Sequence, residues 1–326
     1  MSEHQKPCEA LPFLALALDP IHVGTGGYRL GRVDMSIVRE PGTNLPKIPG
    51  TSLSGACRSY AAMQVDGKYP RCAGQGGGAT RSPEDAGQLD RGHCGEPDCP
   101  ICVTFGFVKG DRAFQGLAQF IDAQLVLFPV HSLAGPVWVT CPDALRHVGI
   151  TDQTEPPEGA VRLSAGIAAG DRLNLGWLML YKDPGAPALS LPGLDGTECT
   201  SFRRIAERVA LVSNKLFGHV VDDNLEVRTS VSIDPRTGAA SERALFTYEA
   251  LPRGSVLAFD VIVTRPEFYT IKRQQPLAKE EDPMGAVCST VQAGLDLMAL
   301  LGVGGMNTRG MGRLHVSPRT SVKEAS

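Results

Sequence analysis

The sequence predicts an α+β fold, a ferredoxin-like sheet-and-helix core that carries insertions. Three observations lead there. With 326 residues, 42% of them hydrophobic, the chain has the apolar material for a sizeable core. Strand-like and helix-like segments mix without the strict βαβα rhythm of a doubly wound sheet. The Gly- and Pro-rich stretches at 72–92 and 183–196 read as insertion loops and not as linkers, so residues 1–326 form a single domain without internal repeats.

Strands are expected where apolar residues alternate or run together, at 11–18, 118–128, 135–139, 174–181, 226–233, 256–263 and 312–316. Helices are expected at 52–63, 142–147, 201–211 and 286–301. Between the first strand and the first helix lie a glycine-rich loop, a lone acid, Asp34, an Arg39-Glu40 pair and a Pro49-Gly50 turn. Gly24, Gly26 and Gly27 lack a Cβ, so the backbone there can reach positive φ and bring its N–H groups close to an anion such as phosphate. The run Pro49-Gly50-Thr51-Ser52 reads as a turn and then an N-cap, which leaves the first amides of a helix from about Leu53 to Met63 facing the same ligand. Either element alone is an ordinary turn or helix start. Together they point to a sugar-phosphate strand.

Four soft ligands follow. Cys99-x2-Cys102 lets two thiolates bind one tetrahedral ion from a tight turn, Cys94 adds a third, and Cys72 or His93 completes the shell. A structural zinc is expected, in preference to reduced thiols in a loop or redox chemistry, and it staples an insertion spanning about 66–112. Glu96 and Asp98 read as surface charge. Farther on, Glu226 to Ile233 and Ala244 to Glu249 read as an extended hairpin turning at Asp234-Pro235-Arg236-Thr237-Gly238, with Val227, Thr229, Val231 and Ile233 on one face.

The net charge is -3, so a nucleic-acid groove has to be local, and the segment 302–320 supplies Arg309, Arg313, His315 and Arg319 without an acid. The apolar runs at 11–18 and 295–301 fall short of the ~20 residues of a membrane span. The polar start and the unevenly placed nine cysteines suit neither an export signal nor a disulfide scaffold. A cytoplasmic protein with no membrane partner is expected.

Four segments resemble a known family: H-V-G-T-G…L-G-R-V-D-M-S-I-V-R-E, L-V-L-F-P-V-H-S-L-A-G-P-V-W-V-T-C-P, E-V-R-T-S-V-S-I-D-P-R-T-G and V-G-G-M-N-T-R-G-M-G-R-L. They are similar to the repeated backbone subunit of type III-B (Cmr) CRISPR effector complexes, within the RAMP superfamily, over nearly the whole chain. The run C-P-I-C-V-T-F-G-F also resembles the zinc-held insertion of several such subunits. The resemblance implies an RRM-like RAMP core and a β-hairpin thumb at about 220–252. It further implies a protein that polymerises in a filament along guide crRNA beside other Cmr subunits, including the large polymerase-like one, and cuts paired target ssRNA at regular intervals in antiviral defence. On this reading Asp34 is the catalytic acid, holding Mg²⁺ or Mn²⁺ or orienting the attacking 2′-hydroxyl, and His22 is a second catalytic candidate. The RNA-binding set is Gly24, Gly26, Gly27, Lys47, Thr51, Ser52, Arg58, Arg228 and Arg309. Two departures stand out. Ser36 replaces a common Pro, and Ser52-Leu53-Ser54-Gly55 lacks the Lys of S-L-K-G, for which Lys47 or Arg58 substitutes. The alternatives are a non-catalytic RNA-binding scaffold and a metal-free guide-processing nuclease that relies on His chemistry.

Overall fold

The computed structural model describes residues 6–26, 33–74, 92–191, 200–240 and 245–319. The chain forms two compact units. One comprises Met1–Phe13, Pro49–Asp122 and Asp260–Val303; the other comprises Leu14–Ile48, Ala123–Phe259 and Gly304–Ser326.

In chain order the strands are β1 (Cys8–Ala17), β2 (Lys47–Ile48), β3 (Phe107–Lys109), β4 (Arg112–Phe114), β5 (Ala118–Phe120), β6 (Ala123–Val130), β7 (Val137–Thr140), β8 (Ala160–Leu163), β9 (Arg172–Leu175), β10 (Leu178–Lys182), β11 (Val209–Leu211), β12 (Glu226–Ser230), β13 (Phe246–Ala250), β14 (Val256–Thr264) and β15 (Leu314–Pro318). The helices are α1 (Gly50–Met63), α2 (Pro100–Phe105), α3 (Pro142–Arg146), α4 (Thr200–Ala206), α5 (Asn214–Asp223), α6 (Pro283–Asp296) and α7 (Met298–Leu301). The main sheet is mixed, in the order β15-β1-β14-β6-β7-β11-β8-β10-β9, and the sequence β1, α1, β6, β14, α6, β15 runs through its first four positions.

In the second unit, strand side chains such as Leu14, Leu16, Val126, Val209, Leu211 and Val256 pack against Leu145 of α3 and Phe202 and Ile205 of α4. Each such large side chain contributes roughly 1.5–3 kcal/mol on burial. In the first unit α1 lies on α6. A Cβ at Gly294 would stand 2.3 Å from the carbonyl oxygen of Cys57, so only glycine lets the two backbones approach this closely. The stretch Pro283–Leu301 is long and apolar enough to cross a membrane by length and composition. Its residues Val287, Val291, Gly294 and Leu295 are buried, and Gly294 faces α1.

Three expected elements come out differently. The stretch 174–181 is a hairpin, because Gly176 at φ +60° turns the chain between β9 and β10. The stretch 201–211 stops being helical at Ala206, and Val209–Leu211 inserts between β7 and β8; a short wholly apolar run carries no period to separate helix from strand. The stretch 118–128 breaks after Phe120 into β5 and β6. The expected hairpin at 226–249 forms as β12 and β13, with Thr229 opposite Thr247.

Candidate nucleic-acid interface and metal centre

The segment around Asp34 is held by hydrogen bonds along β13. Asp34 N donates to Thr247 Oγ1 at 3.1 Å, Met35 N to the Thr247 carbonyl at 3.1 Å, and Glu249 N to the Met35 carbonyl at 3.0 Å. Met35 thus pairs with Tyr248 as in a parallel sheet. The Asp34 side chain is exposed, and its Oδ2 accepts from Thr247 N at 2.7 Å and from Thr247 Oγ1 at 2.9 Å. These bonds, the backbone one foremost, hold the carboxyl below its usual range, so it stays ionised at neutral pH.

Glu249 organises the layer beneath. Its carboxylate accepts from Ile37 N at 3.2 Å and pairs with Arg39 Nη2 at 2.8 Å, while Arg39 Nη1 bonds Asp222 of α5. His22, 3% exposed, places Nδ1 2.6 Å from the Glu249 carbonyl oxygen. A carbonyl only accepts, so the proton sits on Nδ1. The edge of the ring meets Tyr248 at 5.9 Å between centroids. His22 is therefore a buried brace in this structure, with Asp34 exposed beyond it.

The remaining members of the predicted set fall in both units. In the second, Gly24 pairs with Ile37 and Gly26 adopts φ +74°, while Gly27 lies outside the described residues. Lys47 pairs with Glu40 at 2.8 Å, and Arg228 with Glu226 at 2.5 Å. Arg309 is exposed, its guanidinium 5.9 Å from the Phe246 ring centroid. The basic C-terminal segment is partly neutralised, since Arg313 grips Asp19 through two bonds of 2.5 and 3.0 Å.

In the first unit the helix start differs from expectation. Helix α1 begins at Gly50 with Pro49 as its cap residue, and neither Thr51 nor Ser52 caps it. The amides of Ser52 and Leu53 donate to the Pro49 carbonyl, and Gly50 N donates to Asp122 Oδ1 at 2.8 Å. A carboxylate of the chain itself thus stands at the positive end of the helix, where an external phosphate was expected. Thr51, Ser54, Gly55, Arg58, Gly74 and Phe120 line a cavity of about 420 Å³ beside it. Arg58 is buried, which lowers its pKa. Its Nε donates to the Cys72 carbonyl at 2.7 Å, its Nη1 to that of Phe105 at 3.3 Å, and its Nη2 lies 2.8 Å from His93 Nδ1, so it ties the helix to the cysteine loop.

The Sγ atoms of Cys72, Cys94, Cys99 and Cys102 all lie within 4.8 Å of one another, with Cys94–Cys102 at 3.6 Å and Cys102–Cys72 at 3.7 Å. Thiolates at about 2.3 Å around a tetrahedral zinc sit about 3.8 Å apart, so the set fits a metal such as zinc. His93 is not needed, as its Nδ1 faces Arg58. Hydrogen bonding to Cys72 raises the Cys102 thiol while a bond with Cys102 lowers Cys94; a divalent cation takes such ligands as thiolates and displaces their protons. Glu96 and Asp98, expected as surface charge, are exposed and pair with Lys272 at 2.6 Å and Lys279 at 2.5 Å.

The family model of the RAMP superfamily matches residues 15–315. The chain belongs to the RAMP superfamily. Over 286 residues, 81% of each chain, it is 26% identical to the CRISPR system Cmr endoribonuclease Cmr4 of Pyrococcus furiosus. Among solved structures it is similar to a chain of the type III-B Cmr-beta complex bound to cognate target RNA, with a TM-score of 0.61, 16% identity and coverage of 94% and 96% of the two chains. It is also similar to oligomeric Cmr4 from Pyrococcus furiosus, with a TM-score of 0.57, 21% identity and coverage of 97% and 100%.

Sequence reasoning about this RAMP protein missed two parts of the site, since Thr247 carries no motif and Asp122 is distant from the Gly50 amide it accepts from. It marks Tyr248 and Glu249 as a patch at the thumb base with an open role, and the structure commits the Glu249 carboxylate to Arg39 and Ile37. Only the Thr229–Thr247 alignment implied by the hairpin would have drawn attention to Thr247.

Proposed function

We propose that this RAMP protein is the guide-RNA-binding backbone subunit of a cytoplasmic type III-B (Cmr) effector complex and cleaves target ssRNA at regular intervals. The single observation that carries this reading is the exposed Asp34 carboxylate, oriented by β13 at the base of a hairpin. The sheet order β15-β1-β14-β6, entered through β1, α1, β6, β14, α6 and β15, suits a ferredoxin-like core. On this view residues 1–326 are one RAMP domain, with a zinc-stapled insertion at about 66–112 and a thumb at about 220–252. Val227, Val231 and Ile233 are exposed on the hairpin, as suits an element that acts on a partner. The partners proposed are crRNA, target RNA, further copies in a filament and other Cmr subunits.

Cleavage by an adjacent 2′-hydroxyl needs in-line geometry, which a regular A-form duplex denies and a displaced nucleotide allows. Asp34 offers one outward carboxylate oxygen there, enough to orient the hydroxyl. With substrate phosphate and water it also suits a Mg²⁺ or Mn²⁺ ion, and it is too little for a cage built wholly from protein ligands. Such an ion would supply charge stabilisation at the phosphate. On this reading Gly24, Gly26 and Arg309, exposed in the same unit, contact the strand, and His22 supports the site from within.

The test is Asp34→Ala in the reconstituted complex. Guide assembly and target binding are expected to persist while cleavage stops. Unchanged cleavage would leave the scaffold reading. Cleavage that persists in EDTA would remove the divalent ion.

A further inference from the structure

We propose that Thr247 is the positioning residue of the site, clamping Asp34 so that Oδ1 alone faces the substrate. This inference rests on the catalytic reading of Asp34. Four hydrogen bonds join Thr247 to Asp34 and Met35. Thr247 N and Oγ1 donate to Asp34 Oδ2 at 2.7 and 2.9 Å, Asp34 N donates back to Oγ1 at 3.1 Å, and Met35 N donates to the Thr247 carbonyl at 3.1 Å. The hydroxyl donates its one hydrogen bond to the carboxylate and accepts one from the Asp34 amide. Two donors on Oδ2 stop rotation of the carboxylate and leave Oδ1 as the outward oxygen.

The clamp also selects the chemistry. The same bonds favour the ionised form, which makes Asp34 a weak proton acceptor and a steady anionic ligand or hydrogen-bond acceptor. Thr247 touches no reacting atom in this scheme and acts through Asp34. Its own place is fixed by β13, opposite Thr229 of β12.

Thr247→Val keeps the size and the backbone N–H and removes the hydroxyl; Thr247→Ser keeps the hydroxyl. In the reconstituted complex, Thr247→Val is expected to lower the single-turnover cleavage rate by about tenfold, the equivalent of one hydrogen bond to a charged group, with target affinity unchanged. Its acid limb moves to higher pH, and Thr247→Ser restores both rate and limb. In the free full-length chain, a carboxyl carbon NMR titration should show the Asp34 pKa rising in the Val variant. That readout does not depend on activity, and a thermal melt checks folding. Parental rate, limb and titration in Thr247→Val, with Asp34→Ala inactive, overturn the clamp alone. Normal cleavage by Asp34→Ala overturns the functional reading and the clamp's role with it.

Discussion

The carbonyl oxygen of Glu249 lies 2.6 Å from Nδ1 of His22, and both residues are buried. The bond ties the loop leading to Gly24 to the strand that carries Thr247. His22→Ala strands a buried carbonyl and is expected to cost about 1–3 kcal/mol of stability by chemical denaturation. Any fall in cleavage should track the fraction of folded subunit. A variant of parental stability that no longer cleaves would show that His22 takes part in the chemistry.

Two helical glycines are expected to respond in opposite directions. At Gly294 a Cβ would meet the Cys57 carbonyl at 2.3 Å, so Gly294→Ala forces α1 and α6 apart and lowers stability by about 1–3 kcal/mol. At Gly218 of α5 a Cβ meets nothing within 4 Å, so Gly218→Ala should raise stability by roughly 0.5–1 kcal/mol. Paired thermal melts decide both.

Metal analysis of the purified chain should give about one zinc, held by Cys72, Cys94, Cys99 and Cys102. Cys99→Ser is expected to lose most of it and to melt earlier, as should the parent in a strong chelator. His93→Ala should retain the metal, because its ring faces Arg58.

Asp34 gives the pH dependence a definite sign. Its folded pKa lies below the ordinary carboxylate value because Thr247 bonds the ionised form, so the favourable interaction is fully present above the unfolded pKa and is lost as pH falls through the lower folded value. Cleavage that needs this carboxylate should therefore show no acid limb from its titration between about pH 5 and 8. An Asp34 carboxyl carbon that titrates near neutrality by NMR would contradict the assignment.

The cysteine cluster was legible because Cys99 and Cys102 are close in the chain and a soft ion imposes a known spacing. The hairpin and its Asp234–Gly238 turn were legible for a similar reason, since β-branched alternation and a Gly at φ +66° are local properties. The helix start was half legible. Pro49-Gly50 marked the place, while the group that satisfies the Gly50 amide, Asp122, comes from 72 residues away.

The amino-acid sequence by itself determined the family motifs, the Cys94, Cys99 and Cys102 part of the cysteine cluster, most strands and helices, and the lone acid at position 34, because each is written in neighbouring residues. Only the tertiary structure decided what that acid touches. Thr247 stands 213 positions along the chain from Asp34, and Glu249 stands 210 from Arg39. Partners so far apart are chosen by which strand edge the fold presents, and no local spacing encodes that choice.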